Sequence, residues 1–211
     1  KFDFIEILEQ NAEFCELEIG CATRASKIHS FCKERNLGGL EFLRKIPGLL
    51  GGLLKMNAGL KDECIRANLL SVNLAKNELL REKIAFSYRF CPINEAMFSA
   101  KFRLKFGFDA QKDELLKSAR SNQPSGASFG SIFKNPKGDF AGRLVEAVGL
   151  KGLKKGGAMI SDKHANFLIN VKNASFEDAI YLIELAEKRV FDEFGLLLIN
   201  SEDIPEFQNM E

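Results

Sequence analysis

Residues 98–106 carry the cleanest hydrophobic pattern in the chain. Phe98, Ala100, Phe102, Leu104 and Phe106 alternate with Ser99, Lys101, Arg103 and Lys105. A period of two, with one apolar and one charged face, predicts a half-buried strand. Cys15-Glu16-Leu17-Glu18-Ile19 alternates in the same way, and residues 69–80 predict a hairpin turning at Lys76-Asn77. Between them, Ala25, Ile28, Phe31 and Cys32 recur at helical spacing. Thr23 is the expected cap of that helix, and Asn36-Leu37-Gly38-Gly39 its expected stop.

From Gly107 onward the pattern turns more helical. A helix is expected over about 112–120, followed by a polar loop over 121–128. Asp139 is the expected cap of a short helix bearing Leu144, Val145 and Val148, closed by Gly149. Residues 149–157 read as loop and 167–169 as a buried strand. Ser175-Phe176-Glu177-Asp178 opens the longest helix, its carboxylates suiting the positive helix start. Its expected core stripe is Phe176, Ala179, Ile180, Ile183, Ala186, Val190 and Phe191, and Gly195 ends it. Residues 196–199 are expected to form a final strand.

Composition narrows the function classes. A net charge of +1 over 211 residues, with both signs mixed along the chain, argues against nucleic-acid or membrane-surface binding driven by charge. No stretch is long and apolar enough for a membrane span. The five cysteines (Cys15, Cys21, Cys32, Cys64 and Cys91) are odd in number and lack CxxC spacing. They read as reduced, buried thiols, with no disulfide framework and no metal site. The expected compartment is the cytoplasm.

Two stretches concentrate candidate chemistry. Residues 46–59, Ile-Pro-Gly-Leu-Leu-Gly-Gly-Leu-Leu-Lys-Met-Asn-Ala-Gly, are dense in glycine yet apolar. Glycines let a backbone approach a flat ring or a phosphate. The spacing fits neither a P-loop nor GxGxxG, so the residues alone leave a ligand loop and a tight buried turn both open. The second stretch is Gly130-Ser131-Ile132-Phe133-Lys134-Asn135-Pro136. Alone, Ser131 reads as a turn or cap serine or as an acid, and the absence of GxSxG argues against a hydrolase elbow. His164 alone reads as a hydrogen-bonded structural histidine or as a ligand neighbour.

Together these runs resemble the UDP-N-acetylenolpyruvoylglucosamine reductase family of peptidoglycan precursor synthesis. The family carries PGxxGGxxxMNAG around its flavin, and here Pro47, Gly48, Gly51, Gly52, Met56, Asn57 and Gly59 match, after the lead-in Leu40-Glu41-Phe42-Leu43. Phe86-Ser87-Tyr88-Arg89 matches the family's Tyr-Arg pair. The resemblance implies that Arg89 supports the enolate-like charge and that Tyr88 packs or orients. It implies that Ser131 is the proton donor, and that Lys134 and Asn135 contact the substrate diphosphate. Gln123-Pro124, Phe140-Ala141-Gly142-Arg143 and Lys163-His164-Ala165-Asn166-Phe167 extend the match, with His164 as a substrate neighbour. The family's terminal glutamate falls at Ser201 in direct register. Glu202 serves in its place only if a bulge absorbs one residue, since a one-residue shift turns a strand side chain to the other face.

The resemblance implies an α+β fold in two parts: residues 1–107 as the remainder of an FAD-binding domain and 108–211 as a substrate-binding domain. The implied activity is NADPH-dependent reduction of UDP-N-acetylglucosamine enolpyruvate by a monomeric enzyme, with FAD as cofactor and neither nucleic acid nor membrane as partner. The family's Ile-Gly-Gly segment and Gly-x-Gly-Ser-Asn-like loop do not occur, and the chain begins without Met. A piece of a longer protein is therefore expected. The alternative is a non-catalytic nucleotide-sugar-binding fragment that has lost flavin binding. The short interval between Arg89 and Ser131 leaves no room for the tyrosine-bearing insertion of one family branch and implies the shorter branch.

Overall fold

The computed structural model describes residues 1–60, 62–118, 123–124 and 126–200. The chain divides into two compact units, Lys1–Ser121 and Asn122–Glu211, and each is α+β.

In unit 1 the sheet forms where the alternation is strongest. β1 (Ile5–Gln10), β2 (Phe14–Gly20), β5 (Leu69–Leu74), β6 (Glu78–Leu80) and β7 (Met97–Lys105) pair antiparallel in the order β1-β2-β7-β5-β6. A short ribbon, β3 (Gly59–Leu60) with β4 (Glu63–Cys64), stands apart from the sheet. Leu17 opposite Phe102 and Ile19 opposite Ala100 put the apolar rows of β2 and β7 in register. α1 (Ala25–Glu34) buries Ala25, Ile28 and Cys32 in the same core, and α2 (Leu50–Lys55) adds Leu50, Leu53 and Leu54. Four cysteines are buried and Cys64 is only half-buried; burial pushes the Cys21 thiol up to about 11 and Cys32 to about 12.

Three local expectations change here. Thr23 does not cap α1, because its buried hydroxyl donates to Phe4 O at 3.0 Å and accepts from Phe4 N at 3.1 Å; Arg24 holds the cap position without a side-chain bond. The 47–59 stretch is helical in its middle, as α2, despite two glycines. α3 (Ala110–Ser118) belongs to unit 1, whereas the expected boundary at 107/108 puts it in the second domain. Asp113 of α3 is buried and bonds His29 Nε2 at 3.0 Å and Arg44 Nη1 at 2.6 Å, which ties the helix to α1 and to the 3₁₀ turn Glu41–Lys45.

In unit 2, β8 (Ser128–Ser131), β9 (Lys154–Lys155), β10 (Ala158–Ile160) and β11 (Phe167–Asn170) form an antiparallel sheet in the order β8-β11-β10-β9. α4 (Ala141–Ala147) and α5 (Phe176–Phe194) complete its core. Ser175 caps α5 in a reciprocal capping box with Asp178, and Gly195 closes it at φ +66. The α5 stripe runs where expected through Ile183, Ala186 and Val190, with Ala179 and Ile180 partly buried against the same core; Leu182 joins it, while Phe176 and Phe191 at its ends are exposed. Residues 196–199 form no strand. One bridge, Phe133 to Asn200, and the bond from Lys134 N to Ile199 O are what this apolar run achieves, with Leu198 alone buried. Asp139 does not cap α4; it accepts from Phe140 N and grips Arg143, which holds its carboxyl down to about 2.

Candidate active site

In unit 1 the candidate residues begin at Pro47. Gly48 takes φ +108, a conformation that suits glycine, and its carbonyl receives Ala25 N at 3.0 Å. α2 then starts against the turn that follows β2, with Gly51 N donating to Cys21 O and Leu50 N to Thr23 O, both at 2.9 Å. A Cβ at Gly48 or Gly52 would meet nothing within 4 Å, so both backbones face open space. Gly51 and Gly59 face the protein instead: a Cβ at Gly51 would lie 3.4 Å from Cys21, and one at Gly59 would lie 2.1 Å from Glu63 O. The expected cofactor residues thus separate by setting. Gly48 and Gly52 stand open, Gly51 and Gly59 pack against neighbouring chain, and Pro47 is exposed.

Asn57 joins this loop to Arg89. Its backbone is left-handed at φ +40, and its Nδ2 donates to Ser87 O at 2.9 Å. Its Oδ1 is buried with no hydrogen-bond partner. An orphaned buried acceptor carries a desolvation penalty that a ligand N–H or O–H would relieve. Open backbone at Gly48 and Gly52 and an unpartnered acceptor on Asn57, all within one short stretch of chain, fit a flat, polar-edged cofactor. Ser87, Tyr88, Arg89 and Phe90 form a tight turn, with Phe90 N to Ser87 O at 3.2 Å and Ser87 N to Phe90 O at 3.1 Å. Arg89, the third residue, has φ +52, where a type II turn favours glycine or asparagine. Tyr88 is exposed and Arg89 half-buried. Among the described residues, no ion pair or hydrogen bond engages the Arg89 side chain.

In unit 2 the candidate residues are built on β8. Ser131 pairs with Phe167 and Ser128 with Ile169, so β8 carries one extra residue as a bulge. Gly130, at φ +95, sits within the bulge. A bulge at a strand end re-aims the next side chain, here Ser131. Beyond it, Ile132 N donates to Asn166 O at 2.8 Å. The Asn166 side chain accepts from Phe133 N and donates to Phe133 O, both at 2.9 Å, and Asn166 is buried. This asparagine acts as an extra rung of the ladder and fixes the course of the chain from Ser131 to Lys134.

The other predicted residues have identifiable settings. Asn135 Oδ1 accepts from Ala141 N at 3.1 Å and so provides the side-chain acceptor at the start of α4. Lys134 is half-buried, and its backbone bonds Ile199. His164 Nδ1 accepts from Asn166 N at 3.2 Å, and its ring stands edge-on to Phe167 with centroids 5.0 Å apart. Burial lowers the His164 pKa and favours the neutral ring. Glu202 lies outside the described residues.

Two contributors escaped the sequence reading. Asn166 sits inside the quoted Lys163–Phe167 run, but its role depends on Phe133, far away in sequence. Lys55 sits in the glycine loop, yet its ammonium turns to the chain after Arg89. Among the described residues no group of three His, Cys, Asp or Glu could hold a metal ion, and no helix is long and apolar enough to cross a membrane.

Comparison with known proteins places the chain in a family. The sequence model for the C-terminal domain of UDP-N-acetylenolpyruvoylglucosamine reductase matches residues 122–202. The chain is 69% identical over 199 residues to the reductase of that name from Campylobacter jejuni strain RM1221, spanning 94% of this chain and 77% of the relative. It is 48% identical over 180 residues to the one from Helicobacter hepaticus, spanning 85% and 68%. The crystal structure of the reductase from Thermus caldophilus superposes with a TM-score of 0.76 at 31% identity, covering 87% of this chain and 70% of that one. Identity and fold point the same way: the chain belongs to the UDP-N-acetylenolpyruvoylglucosamine reductase family.

Proposed function

We propose that the protein reduces the enolpyruvyl ether of UDP-N-acetylglucosamine to the lactyl ether of UDP-N-acetylmuramate, with FAD as cofactor and NADPH as reductant. The observation that carries this reading is the bond from Asn57 to Ser87. It joins an open-backed glycine loop to the turn of an arginine whose side chain makes no hydrogen bond or ion pair among the described residues, in a chain 69% identical to a named reductase. Pro47, Gly48, Gly51, Gly52, Asn57 and Gly59 would hold the flavin, with Asn57 Oδ1 as the waiting acceptor. When bound, FAD supplies the hydride relay from NADPH to the terminal carbon of the enol ether.

The chain's own residues do the remainder. Arg89 faces the carboxylate side of the substrate, where its fork matches two oxygens and its charge persists at all working pH values. Ser131 gives a proton to the carbon next to the one that gains hydride, so the double bond takes up one hydride and one proton. Lys134 neutralises diphosphate charge. Asn135, with Oδ1 committed to α4, retains its amide N–H groups for the sugar nucleotide. His164, held neutral by burial, and Tyr88 border the substrate. Glu202 assists Arg89 on the carboxylate side. The protein is read as monomeric and cytoplasmic.

The test is titration with FAD, followed by NADPH and the enolpyruvyl sugar nucleotide. A bound-flavin absorbance band and sugar-dependent NADPH oxidation are expected. Sugar-nucleotide binding with no flavin uptake by the full-length protein would favour the non-catalytic alternative.

A further inference from the structure

The chain between β6 and β7 has no ladder beyond one short bridge, so its carbonyls need other partners. Side chains supply them. Lys55 Nζ donates to Cys91 O at 3.2 Å, Ile93 O at 2.7 Å and Asn94 Oδ1 at 3.0 Å. Asn57 Nδ2 donates to Ser87 O at 2.9 Å, and Arg66 Nη1 reaches Phe86 O at 3.4 Å.

Two features of this set are informative. First, the Lys55 ammonium has three donors and three acceptors, so it is saturated inside its own chain. A lysine in a glycine-rich ligand loop invites reading as a phosphate binder, and this one is committed elsewhere. Second, the contacts bracket Arg89: Ser87 lies just before it and Cys91 just after. Arg89 itself is held in the left-handed region at φ +52. Such strain persists in a non-glycine residue only where the surroundings over-determine it. The backbone is pinned on both sides while the guanidinium makes no hydrogen bond or ion pair among the described residues.

We propose that Lys55 and Asn57 are positioning residues for Arg89. Both project from the end of α2 and its exit turn, and they tie the Tyr88–Arg89 turn to the glycine loop. Cofactor loop and substrate arginine are thereby one mechanical piece. The inference rests on the reading of Arg89 as the carboxylate partner.

The test is amide hydrogen exchange on the full-length protein, comparing wild type with Lys55→Met, Lys55→Arg and Asn57→Ala. Lys55→Met is expected to speed exchange at the Ser87 and Phe90 amides about tenfold, which is about 1.4 kcal/mol. Protection in β2 and β7 should hold, and Lys55→Arg should recover part of the loss. In single-turnover measurements Lys55→Met should slow sugar reduction about tenfold more than flavin reduction by NADPH. If Lys55→Met fails to fold, Asn57→Ala removes one bond and reports at the same amides. Unchanged exchange at Ser87 and Phe90, or equal slowing of both half-reactions, overturns the positioning role alone. Normal sugar reduction by Arg89→Ala removes the reading of Arg89 and the positioning role with it.

Discussion

Replacing Asn166 by alanine should destabilise unit 2 and misplace the chain from Ser131 to Lys134. Asn166 is 3% exposed and Phe133 1% exposed, and the asparagine side chain satisfies both the N–H and the carbonyl of Phe133 at 2.9 Å. Alanine leaves two buried backbone groups unpaired. Each costs about 1–3 kcal/mol, so the expected loss is about 2–6 kcal/mol. For a chain of this size that corresponds to a fall in Tm of roughly 2–4 °C per kcal/mol. The two compact units need not unfold together, so denaturation is best followed through exchange of the Ile160 and Phe167 amides, both bonded inside unit 2. The bond from Ile132 N to Asn166 O uses the backbone and should survive. The fraying should therefore begin at Phe133 and spread toward Lys134. A loss below about 0.5 kcal/mol, the range of a neutral surface change, would refute the extra-rung role.

Gly142→Ala would place a Cβ 2.8 Å from His164 Cε1, so a loss of about 1–3 kcal/mol is expected, partly recovered by His164→Ala in the double variant; urea denaturation of the four-member cycle reads the coupling. Arg89→Lys should not restore sugar reduction, because an ammonium lacks the fork; turnover about a hundredfold or more below wild type is expected, and near-normal turnover would sink the assignment. His164 and Glu187 should tilt the pH–stability profile in opposite directions. Burial lowers the His164 pKa below 6.5, so the unfolded chain binds that proton first and stability rises with pH through the window just below 6.5; His164→Gln should flatten this limb. Burial raises the Glu187 pKa above 4.5, so the folded chain holds that proton longer and stability falls as pH rises through the window just above 4.5, a slope that Glu187→Gln should remove.

Elements whose determinants are local were legible in the sequence. β7 shows its alternation residue by residue, the 69–80 hairpin turns where its polar pair sits, and Ser175 with Asp178 announces the start of α5. Failures came where distant partners decide. Thr23 has the chemistry of a cap, but Phe4 takes its hydroxyl from across the unit. Residues 196–199 have strand composition, but only Leu198 is fully buried, with Leu196 packed at the core's edge, and the neighbouring chain offers a single bridge. α2 contains two glycines and has poor helix propensity, yet burying Leu50, Leu53 and Leu54 overrides it. In the candidate site, motif residues were readable as motifs. Their division of labour was not, since the open face of Gly52 and the closed face of Gly59 differ only in what packs on them.

The central claim is that Ser131 supplies the proton in a two-stage reduction whose first stage does not involve it. The most direct measurement is rapid mixing of the full-length protein and its Ser131→Ala variant, first with NADPH and then with the enolpyruvyl sugar nucleotide. The account predicts that the variant bleaches its flavin absorbance at close to the wild-type rate and then fails to recover it with the sugar. Equal loss of both stages, or recovery at the wild-type rate, would contradict it.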